Sequence, residues 1–222
     1  MVKQRTRRAR PARTRRDGDT EQRILDAAHI VFLRRGTAGA RTQEIAKEAG
    51  VNSALLHYYF RTKERLAAAV FKRAAGQLLP AVIGILASDL ELDEKVAQVV
   101  EVELKQLSAT PYLPGYILSE LAHHPERAAQ LFSTATGMAP AEIGGHVFKV
   151  LQAQIQQRVK AGLMHPIAPE QFAINLLSLC VFPFAARPLF MTLLGLDQAG
   201  FNQFIDRRRK ELAPFFLRAL RP

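Results

Sequence analysis

The chain has 222 residues, of which 48% are hydrophobic and 23% charged; this supplies a buried core and excludes global disorder. Its lone cysteine, Cys180, excludes an intramolecular disulfide and a cysteine-built zinc site. A formal charge of +11 points to a polyanionic partner, nucleic acid or an anionic membrane.

Residues 1–16 carry Lys3, Arg5, Arg7, Arg8, Arg10, Arg13, Arg15 and Arg16 and no acid, while the remainder is nearly balanced. The run reads as a flexible basic arm over 1–19, either a phosphate-seeking arm or a solubilising leader. No apolar stretch of signal-peptide kind lies in the first twenty residues, which with the single thiol implies a reducing, cytoplasmic setting.

Period-3.6 patterning dominates from there, and the expected fold class is all-α. Asp19 or Thr20 caps a first helix with Ile24, Ala27, Ala28, Val31 and Phe32 inward, ended by Gly36 and Gly39. Thr42 caps a short second helix with Ile45, Ala46 and Ala49 inward, stopped at Gly50. Asn52 or Ser53 begins a third, burying Leu56, Tyr59 and Phe60. Thr62 caps a fourth that runs to Pro80. Longer helices follow over 92–109, 113–122, 125–136, 140–162, 169–193 and 198–220, many starting at a proline. The apolar stretch Phe172–Leu196 includes Arg187, Pro183 and Pro188, so it reads as a buried helix and no membrane partner is expected.

Two short helices about a tight turn, over residues 42–60, have the length and chemistry of a helix-turn-helix. Ala46 and Ala49 are small where the helices cross, Gly50 supplies positive φ, and Val51 fills the angle. The outer face of the third helix then shows Ser53, Leu55, His57 and Tyr58, none acidic, as entry between phosphate walls requires.

The segments ILDAAHIVFLRRG, TQEIAKEAGV and LLHYYFRTKERL, within residues 20–66, resemble the DNA-binding domain of TetR/AcrR-family bacterial transcriptional regulators. The resemblance implies a DNA-binding domain over 20–79 and a helical effector-binding and dimerisation domain over 80–222, joined by a shared fourth helix. It makes Thr42 and Gln43 candidates for phosphate and base contact, with Asn52, Ser53 and Leu55 at the reading end of the third helix. His57 and Tyr58 stand where the family has a backbone-gripping pair, and Lys63 where a lysine meets phosphate. Leu55 in place of a common threonine favours a thymine methyl, and Arg61 in place of a common proline adds a cation.

The implied function is a regulator, most simply a repressor, that binds a palindromic operator in double-stranded DNA as a homodimer. A small apolar or amphipathic effector would release it. Phe71, Tyr112, Tyr116, Phe148 and Phe182 are candidate pocket residues, plain core being the other reading. Phe172, Leu176, Leu179, Phe201, Phe204, Ile205 and Leu212 are the candidate dimer interface, with intramolecular core as the alternative. An activator of the same fold, a membrane-surface protein and a helical enzyme are the competing functions.

No enzyme motif appears, and no cofactor or metal is expected. The histidines lack ligand spacing, and Glu101, Glu103, Glu91 and Asp93 read as solvated helix faces, Glu101 with Lys105 and Glu91 with Lys95 at pairing distance.

Overall fold

A computed structural model describes residues 15–222; the basic arm over 1–14 lies outside the described residues. The described chain is helical, in two compact units dividing between Val70 and Phe71.

The first unit holds α1 (Arg15–Gly39), α2 (Thr42–Glu48), α3 (Ser53–Phe60) and the start of α4 (Lys63–Ala87). Ile24, Ala28, Val31, Ile45 and Leu66 are fully buried and form its centre with Phe32 and Leu56. Each large apolar side chain so removed from water contributes roughly 1.5–3 kcal/mol. Gly36 breaks α1 with φ 66 and ψ 164, so the expected glycine stop appears as a kink followed by one more turn.

α4 does not end at Pro80 but runs through it to Ala87. The proline costs one backbone hydrogen bond, and burial of Val82 and Leu86 beyond it offsets the loss. By length and composition α4 could cross a membrane. Its apolar side chains are instead core, Leu66, Ala67 and Val70 in the first unit and Phe71, Ala74 and Ala75 in the second.

The second unit continues with α5 (Leu92–Ala109), α6 (Leu113–His123), α7 (Arg127–Thr136), α8 (Pro140–Lys160), α9 (Pro169–Ala185), α10 (Arg187–Leu193) and α11 (Gln198–Ala219). α5 packs on α11, α9 and α8, and α9 also meets α6, α8 and α10. The expected single helix over 169–193 is two, bent by 70° at Ala186. Pro188 has no N–H to give the Phe184 carbonyl and its ring crowds that carbonyl, so α9 does not continue through it, and Arg187 secures the bend, its guanidinium stacked between Tyr112 (4.7 Å) and Phe201 (5.0 Å).

Buried charges here have specific partners. Lys95 is fully buried and donates to the Leu86 carbonyl at 3.0 Å, closing the end of α4 instead of pairing with Glu91 in solvent. Arg127 pairs with Glu120, both buried, and lies over Phe71.

Glu103 departs most from expectation: it is 3% exposed, not solvated. Burial pushes its carboxyl up to about 7, and the Cys180 thiol beside it up to about 12. That thiol stays protonated and unreactive at neutral pH.

Candidate nucleic-acid interface

The site is built on the turn between α2 and α3. Gly50, at φ 64, ends α2 with two hydrogen bonds, Val51 N–H to the Ala46 carbonyl (3.0 Å) and Gly50 N–H to the Lys47 carbonyl (3.1 Å). This is a Schellman motif, and it satisfies the last carbonyls of α2. Asn52 then caps α3, its Oδ1 accepting from Leu55 N–H at 2.7 Å. Capping engages the Asn52 carbonyl oxygen and leaves both amide N–H groups for DNA. Thr42 is the first residue of α2, with Arg41 at the capping position, so its hydroxyl does not cap that helix.

Leu56 and Phe60 face the core of the first unit, and Tyr59 is half-buried with its ring edge-on to Tyr58 at 5.3 Å. The other side of α3 presents Ser53, His57 and Tyr58, with Tyr58 76% exposed and Leu55 partly covered. Gln43 is exposed and Thr42 half-buried at the start of α2. The acids of α2 are drawn to α1, Glu44 to Arg35 and Glu48 to Arg34, each at 3.5 Å. Their charge is thereby partly neutralised on the α1 side of α2.

The junction to α4 differs from the simplest expectation. Lys63 Nζ donates to the carbonyls of Ala38 (3.1 Å) and Ala40 (3.3 Å), tying the start of α4 to the end of α1. Two of its three ammonium protons are so used, leaving one for a phosphate. The α4 N-terminus already holds an anion, because its backbone N–H and the Thr62 hydroxyl keep the exposed Glu64 carboxyl below the usual range. Arg61 stands at φ 60 and ψ −48, with Thr62 N–H donating to the Phe60 carbonyl at 2.6 Å. This is a strained γ-turn that a non-glycine residue rarely adopts, and Arg61 is exposed on it.

The residues expected to line a pocket differ widely in exposure. Tyr116 and Phe71 are buried, Phe148 is half-buried, Tyr112 is exposed on Arg187, and Phe182 is exposed against Phe190. Two cavities of the second unit, about 670 and 600 Å³, are lined by other residues.

The expected dimer residues need correction. Phe172, Leu176, Phe201, Ile205 and Leu212 are at most 3% exposed in a single chain, so they are core and not surface. The helices are rotated relative to the expectation: their outward apolar residues are Ile174, Phe182 and Phe215, joined by Leu189 and Leu193 of α10. Leu179 and Phe204 remain half-exposed, and Phe204 and Phe215 line the 600 Å³ groove beside Arg207 and Arg208.

Among the described residues no group of three His, Cys, Asp or Glu side chains could hold a metal ion.

Comparison with known proteins agrees with this geometry. The family model described as bacterial regulatory proteins, tetR family, matches residues 24–70, the segment from α1 into α4. The chain is 30% identical to the HTH-type transcriptional regulator BetI of Rhizobium meliloti over 46% of its own length and 49% of the relative's. It is 43% identical to the HTH-type transcriptional repressor SCO4008 of Streptomyces coelicolor over 24% of this chain and 28% of that one. The matches thus span about half or less of these curated relatives. In fold it is similar to a bacterial regulatory protein in the tetR family from Rhodococcus RHA1, at TM-score 0.64 and 21% identity, covering 91% of this chain and 97% of the other. Residues 24–70 thus match the tetR family of bacterial regulatory proteins, and the all-helical fold is similar to that of a solved regulator of this family.

Proposed function

We propose that the protein is a transcriptional repressor that binds a palindromic operator as a homodimer and is released by a small amphipathic molecule. The observation that carries this reading is α3, capped by Asn52 and presenting Ser53, His57 and Tyr58 outward with no acid among them. Such a helix fits a major groove with its N-terminal residues at base edges. Ser53 and Gln43 are assigned to bases, with Leu55 on a thymine methyl. Thr42, His57, Tyr58, Arg61, the amide of Asn52 and the third proton of Lys63 are assigned to the backbone.

One recognition helix reads only a few base pairs, so useful specificity requires two copies about 34–36 Å apart. The outward apolar residues of α9, α10 and α11 support pairing of two chains, since patches of this kind mark interaction sites. The second unit far exceeds what DNA reading needs, which supports a regulatory ligand between its helices.

The test is selection of bound duplexes from a random pool. A two-fold symmetric consensus is expected, and Ser53→Ala or Gln43→Ala should change the preferred bases. An unstructured pool after selection would contradict the assignment.

A further inference from the structure

One surface stripe of α11 has a spacing that reads the same from either end and charges that complement each other when reversed. Phe204, Arg208, Glu211 and Phe215 follow one another at steps of four, three and four residues, so they share one side of the helix. All four line the groove of about 600 Å³. Phe215 is 53% exposed, Glu211 is exposed, and Phe204 and Arg208 are half-buried.

The two central charges have no opposite partner within one chain. The described ion pairs of α11 are made by Arg209, with Glu101 (3.8 Å) and Asp206 (3.6 Å), and include neither Arg208 nor Glu211. Arg208 gives Nε (3.1 Å) and Nη2 (2.7 Å) to the Leu179 carbonyl of α9. Three of its five N–H groups remain. The Leu179 bond also holds the guanidinium in place beforehand, so little side-chain freedom is lost when a partner docks. Burial lowers the Arg208 pKa, a cost that a carboxylate in contact would offset.

A second copy of α11, laid antiparallel with the two-fold axis midway between Arg208 and Glu211, supplies that carboxylate. Arg208 then meets the partner's Glu211, and Phe204 meets the partner's Phe215. The axis repeats each contact, giving two ion pairs flanked by two aromatic contacts. At 1.5 Å per residue the seam is about 16 Å long. Parallel pairing would instead oppose Arg208 to Arg208 and Glu211 to Glu211, which is repulsive. Moving the axis onto Glu211 opposes that carboxylate to its own copy.

We propose that Phe204, Arg208, Glu211 and Phe215 form an antiparallel self-recognition seam that selects a second copy of this chain. The inference rests on the homodimer reading above and deepens it, assigning the residues that set the direction, register and choice of partner.

The test is charge reversal, with the dimer dissociation constant of the full chain measured by analytical ultracentrifugation. Glu211→Arg opposes guanidinium to guanidinium at both contacts and should weaken the dimer about tenfold or more. Arg208→Glu should weaken self-association similarly. Mixed together, the two variants should form a mixed dimer near wild-type affinity, because opposite charges then meet at both contacts. A chain carrying both changes should regain self-association. Should Arg208→Glu fold poorly for want of its Leu179 bond, Glu211→Arg and Phe215→Ala, both at exposed positions, decide the matter. Each should weaken the wild-type dimer.

Unchanged self-association in Glu211→Arg and Phe215→Ala would overturn the seam, as would two folded reversal variants that ignore each other. A dimer that tolerates these changes but is broken by Phe182→Asp keeps the homodimer reading and removes the seam. A single wild-type chain on a selected palindrome removes both.

Discussion

At the scale of single residues, the sequence pattern locates the reading face but not how its borders are held. Ser53, His57 and Tyr58 are legible because α3 is short and its buried pair Leu56 and Phe60 fixes the phase. The role of Lys63 is not, because its acceptors, the carbonyls of Ala38 and Ala40, are backbone atoms more than twenty positions away. Lys63→Ala should therefore lower thermal stability as well as DNA affinity; a residue serving phosphate alone would lower affinity and leave stability unchanged. Arg61→Gly relieves the positive-φ strain and should stabilise the fold by about 1 kcal/mol. It should also reduce the log–log salt slope of DNA binding by about 0.9 if the guanidinium meets one phosphate. Urea denaturation and a salt titration of the same variant check both effects. Glu103 carries a pH signature. Its folded pKa of about 7 lies above the unfolded carboxyl value, so the folded state holds the proton more tightly. The resulting stabilisation is fully present at acid pH and is lost as pH rises from the unfolded value through the folded one. Glu103→Gln should remove that part of the slope in denaturation curves between about pH 4.5 and 7.5.

At the scale of elements, local signals are plain in the sequence and long-range ones are not. Gly50 and Asn52 announce the stop of α2 and the start of α3 through nearest-neighbour geometry, and both act as such. Asn52→Ala should cost about 1 kcal/mol of stability, with Asn52→Asp nearly neutral, by thermal denaturation. The break at Ala186 is hidden, because Pro183 is carried inside α9 while Pro188 starts α10, and a sequence shows both prolines alike. The phase of α9 and α11 is ambiguous for a different reason. Both helices bear large apolar side chains on more than one face, so composition alone does not separate Phe172, buried, from Phe182, 56% exposed. Glu103 misleads for a related reason: an acid beside Glu101 looks solvated until α9 and α11 close over it.

At the scale of the whole molecule, α4 carries core residues of both units, Leu66 and Val70 in one and Phe71 and Ala74 in the other. A ligand acting in the second unit by about 1–3 kcal/mol would change operator affinity roughly 5–150-fold, and operator DNA would weaken the ligand by the same factor. Calorimetric titration of ligand with and without operator checks that equality. The central claim remains that two copies of α3 read one symmetric site. The most direct measurement titrates the protein into a selected palindrome and into its isolated half-site, with the mass of each complex taken by light scattering. Two chains are expected on the palindrome, with binding to the half-site about a hundredfold weaker or more. One chain bound equally tightly to either duplex would contradict that claim.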